Sequence, residues 1–186
     1  MEHMVSRRKF CTILSASCIA TAYPVYSKAP GFLRNAGDIR LVRLKNNKTA
    51  ESIKIVYWIE GSYVPEAVKE ISYFMRDWRQ NKTITYDVAN VDIIAATQAL
   101  LDTSETMQLL SGYRTLRTNK MLSYSNSGVA RNSYHIKGMA ADLRLDNRSV
   151  SQISRAAEAC KSGGVGSYAR SGFVHIDCGP VRTWKK

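Results

Sequence analysis

Three histidines occur in this 186-residue chain, and two of them fall into a readable arrangement. Ser133, His135, Gly138, Ala140 and Asp142 spell Ser-x-His-x-x-Gly-x-Ala-x-Asp. His175 follows in the apolar run Gly172-Phe173-Val174-His175-Ile176-Asp177. Two imidazoles and one carboxylate are the kind of set that holds a catalytic zinc ion, with the fourth position left to water. The expected chemistry is therefore zinc-assisted hydrolysis, with His135, Asp142 and His175 binding one zinc ion. The plain alternative is a pair of packed core histidines and an aspartate that caps a turn. That alternative suits either histidine alone; the set of three favours the metal.

These residues need elements to bring them together. His135 and Asp142 are seven apart, too far for adjacent turns of one helix and of the wrong parity for one face of a strand. They meet if the chain folds back between them, and Gly138 permits a tight bend. Ala140 to Leu145 then reads as a short strand, and Phe173 to Asp177 as another. Antiparallel neighbours would put Asp142 beside His175, with His135 supplied by the preceding loop.

The rest of the chain reads as a frame for that pair. Ile39 to Leu44 and Ser52 to Ile59 read as strands, with turn chemistry at Asn46-Asn47-Lys48. Pro65 suits a first helical position, and Ala67, Val68, Ile71, Phe74, Met75 and Trp78 make a helical stripe. Val91 to Leu101 reads as a second helix and Met107 to Leu110 as a strand. Ser149 with Gln152 is a capping-box pattern for a third helix that runs to Cys160 and stops at Ser162-Gly163-Gly164. No repeat, linker or low-complexity segment is present.

Taken in order, these motifs resemble a known group. The zinc pattern with a later histidine on a strand resembles the D-Ala-D-Ala metallopeptidase clan, which also includes lysostaphin-type and hedgehog-type zinc domains. Within that clan, Ser111-Gly112-Tyr113-Arg114-Thr115 with Asn119, then Gly163-Gly164-Val165-Gly166, Gly172 to Asp177 and Arg182-x-Trp184, are similar to the MepK-like murein endopeptidases. The resemblance runs from about residue 38 to the C-terminus. It implies a single-domain α+β fold, with an antiparallel sheet carrying the zinc site and helices packed on one side. It implies peptidoglycan cross-link peptides as substrate.

The resemblance also assigns roles. Arg114 matches the clan's substrate-stabilising arginine; its guanidinium would stabilise a developing oxyanion or grip a substrate carboxylate, against the alternative of a structural salt bridge. Ser133, two before His135, would bind substrate or fix the loop. Tyr113, Asn119 and Trp184 are expected in the substrate cleft, with Tyr168 a weaker candidate. Many clan members carry Glu or His shortly before the last zinc histidine, whereas this chain has Ser171, Gly172 and Phe173. Asp177 lies two after His175, on the same strand face, and would act as general base or orient the ligand ring.

Composition agrees with this reading. One domain with a full core suits the length. The chain carries 27 basic and 15 acidic residues, for a formal charge of +12. A basic surface suits the carboxylates of peptidoglycan stems. No nucleic-acid motif is present and the cations are scattered, so nucleic acid is not an expected partner. Ser6-Arg7-Arg8-Lys9-Phe10 before the apolar stretch Cys11 to Ala22 reads as a twin-arginine signal peptide, too short for a membrane span. Residues 1–29 are thus expected to be the signal and 30–186 the zinc peptidase domain, periplasmic and without an integral anchor. Cys160 and Cys178 then remain as an even pair in an oxidising compartment, either bridged or as separate buried thiols.

The sequence thus reads as a zinc-dependent peptidoglycan endopeptidase. Its rivals are a D,D- or L,D-carboxypeptidase that trims stem peptides, and a non-catalytic zinc-containing wall-binding module. A long open groove at the metal favours the first. A closed pocket with a carboxylate-binding cation favours the second. Sacculus binding without cleavage favours the third.

Overall fold

A row of strands backed by helices makes the frame of the computed structural model, which describes residues 38–125 and 128–186. The expected signal segment lies outside the described residues. The strands are β1 (Ile39–Asn46), β2 (Glu51–Ile59), β3 (Ser62–Tyr63), β4 (Met107–Ser111), β5 (Ala140–Arg144), β6 (Gly164–Tyr168), β7 (Phe173–Asp177) and β8 (Arg182–Lys185). They form one sheet in the order β3-β2-β1-β4-β5-β7-β6-β8. The helices are α1 (Pro65–Phe74), α2 (Val88–Leu100), α3 (Leu116–Ser125) and α4 (Val150–Ala159), with a 3₁₀ turn at Tyr134–Lys137.

The sheet is mixed, which corrects the expectation of an antiparallel one. β1 pairs with β4 in parallel, as β6 does with β8. The reason is connectivity. The segment from β1 to β4 contains the β2 hairpin and two helices, and such a crossover returns the chain in its original direction. The remaining pairs are antiparallel, including β5 with β7.

Side-chain alternation gives the sheet two different faces. Ala141 and Leu143 of β5, Val165 of β6, and Val174 and Ile176 of β7 join one apolar core with Val91 and Ile94 of α2 and Ile153 and Ala157 of α4. Their neighbours Asp142, Gly166 and His175 point the other way. Helices α1, α2 and α4 therefore anchor the sheet from behind and leave the chemistry-bearing face to loops. A buried ion pair, Arg40 with Asp92 at 3.1 Å, ties α2 to β1. The hydroxyls of Tyr57 and Tyr63 also donate to Asp92, so the buried carboxylate is fully satisfied.

Helix ends follow the local chemistry. Pro65 opens α1 as expected, but the helix stops at Phe74, short of Met75 and Trp78. The Met75 carbonyl instead accepts from the Tyr113 amide at 2.7 Å, docking the end of α1 on the loop after β4. Asp87 caps α2, accepting from the Ala89 amide. The Ser149–Gln152 capping box forms at the head of α4. Ser149→Ala should lower stability by about 1 kcal/mol, read as a shifted urea midpoint, with metal content unchanged.

The two thiols of the described chain are separate. Cys160 is buried against Thr97 and Ala156, and Cys178 faces the Met139 carbonyl. Among the described residues no helix is long and apolar enough to cross a membrane.

Candidate metal centre and substrate cleft

One row across the sheet assembles the site. Ser111 of β4 pairs with Asp142 of β5, Asp142 with His175 of β7, His175 with Gly166 of β6, and Gly166 with Trp184 of β8. His135 arrives from the 3₁₀ turn before β5. Ser133 caps that turn, and Gly138 closes it at φ 67, in the left-handed region where a side chain is strained. The turn is stapled to the loop after β4: the Arg114 amide donates to the His135 carbonyl at 3.0 Å.

Three donor atoms converge there. His135 Nε2 lies 3.2 Å from Asp142 Oδ1 and 3.2 Å from His175 Nδ1, and His175 Nδ1 lies 2.9 Å from Asp142 Oδ1. All three residues are buried. Each ring is fixed from behind. His135 Nδ1 donates to the Gly112 carbonyl at 2.7 Å, which can only accept, so its Nε2 presents a lone pair to the cluster. His175 Nε2 donates to Asp177 Oδ2 at 2.9 Å. Such outer partners fix ring orientation and tautomer in metal sites. The group therefore has the donors, geometry and support to hold a cation.

Electrostatics follow from the same contacts. Burial holds the His135 pKa below its ordinary value, so the ring is neutral near pH 7. Burial opposes charge on His175 as well. Its hydrogen bonds to Asp142 and Asp177 outweigh that and raise its pKa to about 9. Asp142 is held well below the carboxylate range, because the two imidazoles and Arg114 outweigh the effect of burial.

A cleft of about 640 Å³ opens over the three donors. Arg114, Ser133, Trp184 and Tyr168 line it. Arg114 donates through Nη2 to Asp142 Oδ2 and through Nε to Ser111 Oγ, the latter at 2.8 Å. The Trp184 ring lies against His175, with centroids 5.4 Å apart, and its Nε1 donates to the Tyr168 hydroxyl. A Cβ on Gly166 would sit 2.4 Å from that indole, so the glycine makes room for it.

Other expected residues lie elsewhere. Tyr113 is absent from the cleft lining; its backbone instead docks the loop on Met75. Asn119 faces a separate hollow of about 400 Å³, and its amide nitrogen donates to the Ala130 and Arg131 carbonyls. Asp177 is fully buried behind His175, where its carboxylate also accepts from the Gly164 and Gly179 amides and from Arg182. Among the described residues, Asp142 is the only acid lining the cleft. Arg170 and Arg182 line it too, beside Tyr134 and Phe173, and none of these four was given a role by sequence reasoning. The basic charge of Arg170 and Arg182 was visible; which way they point depends on the β6–β7 turn and on β8.

A mixed sheet that presents Asp142 and His175 on its open face, joined by His135 from the preceding turn at the floor of a cationic cleft, fits a peptidase-like α+β domain. Residues 34–184 match the family model described as peptidoglycan L,D-endopeptidase MepK, Peptidase_M15_2. The chain belongs to this family of M15-clan murein endopeptidases. It is 42% identical over 145 residues to the peptidoglycan L,D-endopeptidase MepK of Escherichia coli strain K12, covering 78% of this chain and 80% of that protein. It is 35% identical over 147 residues to the probable peptidoglycan L,D-endopeptidase MepK of Haemophilus influenzae, covering 78% and 79%.

Proposed function

We propose that this protein is a zinc-dependent endopeptidase that hydrolyses peptide cross-links of peptidoglycan outside the cytoplasm. The observation that carries the reading is the triangle of donor atoms on His135, Asp142 and His175, with edges of 2.9–3.2 Å. A tetrahedral ion with bonds of about 2.0–2.1 Å spans about 3.3–3.4 Å between ligands, so a small outward relaxation seats zinc. Two nitrogens and one carboxylate oxygen are also its customary donors. Family membership supports the reading, since the relatives are named L,D-endopeptidases.

When bound, zinc supplies Lewis acidity that polarises a scissile carbonyl and brings the pKa of a water to about 7. The chain's own groups do the rest. Arg114 pins Asp142 Oδ2, so Oδ1 would be the oxygen that holds zinc together with His135 and His175. Its remaining amine, Nη1, makes no hydrogen bond among the described residues, and Arg114 lines the cleft, so this amine is the group to stabilise oxyanion charge. Asp177 orients His175 and, being buried and fully engaged, takes no proton from the water. Ser133 fixes the turn that carries His135. Trp184 and Tyr168 form one wall of the groove, and Arg170 suits the carboxylates of stem peptides. Asn119 and Tyr113 act outside this groove, through the loops they tie down.

Digestion of purified sacculi followed by mass spectrometry tests the function. Cross-linked dimers should fall to monomers, a chelator should stop the reaction and zinc should restore it. Loss of one terminal residue with cross-links intact would make it a carboxypeptidase; binding without cleavage would make it a wall-binding module.

Metal binding should also release a proton. The unfolded pKa of histidine is about 6.5, and the folded value of His175 is about 9. Its protonation therefore stabilises the metal-free fold fully below pH 6.5, and that contribution is lost as pH rises through 9. A ligand imidazole must be neutral at its donor nitrogen, so zinc expels that proton. Titration calorimetry at pH 6, below the pKa of a zinc-bound water, in buffers of different ionisation enthalpy should give about one proton per zinc. No release at pH 6 would exclude a protonated His175.

The export signal at Ser6-Arg7-Arg8-Lys9-Phe10 belongs to the same proposal. Changing Arg7 and Arg8 to Lys should strand the protein in the cytoplasm on cell fractionation. Normal periplasmic yield would assign it to the general secretory route.

A further inference from the structure

A second row lies beside the metal row on the same face. Ala140 pairs with Asp177, Asp177 with Gly164, and Gly164 with Arg182. Gly164 lacks the side chain that would separate its two neighbours. Arg182 reaches over it and grips Asp177 with both amines, Nη1 to Oδ1 at 3.0 Å and Nη2 to Oδ2 at 2.7 Å. A Cβ on Gly164 would fall 2.4 Å from Arg182 Nη1 and 2.6 Å from Asp177 Oδ2. The guanidinium is held in turn between two rings, 5.1 Å from the centre of Tyr134 and 5.0 Å from that of Trp184. Its Nη1 also donates to the Pro180 carbonyl.

We propose that Arg182 is a positioning residue for the metal centre: across Gly164 its paired amines fix Asp177, and through Asp177 they fix the ring of His175. The inference rests on the zinc reading above. Its logic is that of an outer carboxylate that is itself anchored. Asp177 Oδ2 accepts from His175 Nε2 and from Arg182 Nη2, so the carboxylate plane, and with it the ring's rotation, is set by the bidentate fork. A point charge at this place would keep the attraction and lose the plane. The rival explanation is that Arg182 only latches β8 to the sheet and leaves the metal untouched.

Zinc affinity, measured by chelator competition on the metal-free protein, separates the two. Arg182→Met should weaken zinc binding about 10-fold or more, within the 10–100-fold range for outer partners. Arg182→Lys should recover only part of the loss. Gly164→Ala should weaken zinc too, because it dislodges the fork while both charges remain. In an Asp177→Asn background, Arg182→Met should cost little more, since its path to His175 is already broken. The histidine ¹⁵N signals of metal-free Arg182→Met should shift at His175 and hold at His135.

Wild-type zinc affinity in Arg182→Met or in Gly164→Ala would overturn the proposal, and so would fully additive losses in the double variant. If Arg182→Met does not fold, Arg182→Lys and Gly164→Ala carry the decision by the same criteria. Failure of the wild-type protein to bind zinc is a different failure: it would remove the zinc reading itself.

Discussion

Replacing His175 by alanine should empty the metal centre and leave the fold standing. The variant deletes one corner of the donor triangle, so two ligands remain where three are needed to hold a catalytic ion. Zinc affinity should fall by more than the roughly 100-fold that loss of an outer partner costs, and cleavage of cross-linked muropeptides should drop to background. The fold survives for a local reason. Asp177 loses one hydrogen bond but keeps Arg182 and the Gly164 and Gly179 amides, so no buried charge is orphaned. The space left by the imidazole opens on the cleft, where water can enter. Elemental analysis after dialysis, with circular dichroism as the folding control, reads the result. Stoichiometric zinc in a folded His175→Ala protein would strike His175 from the ligand set.

The three donors were legible because their types are scarce and their spacing is physical. The chain has few histidines, and Gly138 between His135 and Asp142 allowed the fold-back that the 3₁₀ turn makes. β7 and the capping box of α4 were legible for the ordinary reasons of alternation and polar caps. What stayed hidden has causes too. β6 reads Gly164-Val165-Gly166-Ser167-Tyr168, a poor strand by propensity. It is a strand because its glycines are vacated for side chains from its partners: Asp177 and Arg182 at Gly164, Trp184 at Gly166. α3 carries Leu116, Met121 and Tyr124 largely exposed, so no buried stripe announces it. Its start is set by contact across the fold, where Asp77 holds Thr115 and Thr115 caps the Thr118 amide. The parallel pairings depend on where long crossovers return, which local patterns do not encode. For the same reason Asn119 was expected in the groove and lies beside a separate hollow.

Arg114 carries the other large effect, and its contacts add a third role to the two read from sequence. Nη2 donates to Asp142, Nε donates to Ser111, and Nη1 makes no hydrogen bond among the described residues. Arg114→Ala should lower turnover by ~10²–10³-fold, the usual cost of a lost oxyanion donor. Three outcomes are distinguishable on a defined cross-linked muropeptide. Action on the transition state lowers kcat and leaves KM in place at saturating zinc. Anchoring of a substrate carboxylate raises KM while kcat holds. Action only through Asp142 weakens zinc binding, and excess zinc then restores the rate. The contacts favour the first with a share of the third: one amine pins Oδ2, and Arg114 lines the cleft. Arg114→Lys is the sharper variant, because one ammonium cannot hold Asp142 and meet a substrate oxygen in the same planar arrangement. It should retain zinc better than Arg114→Ala yet stay slow. Wild-type kinetics for Arg114→Ala at saturating zinc would sink both substrate roles and leave the contact with Asp142 as a structural salt bridge.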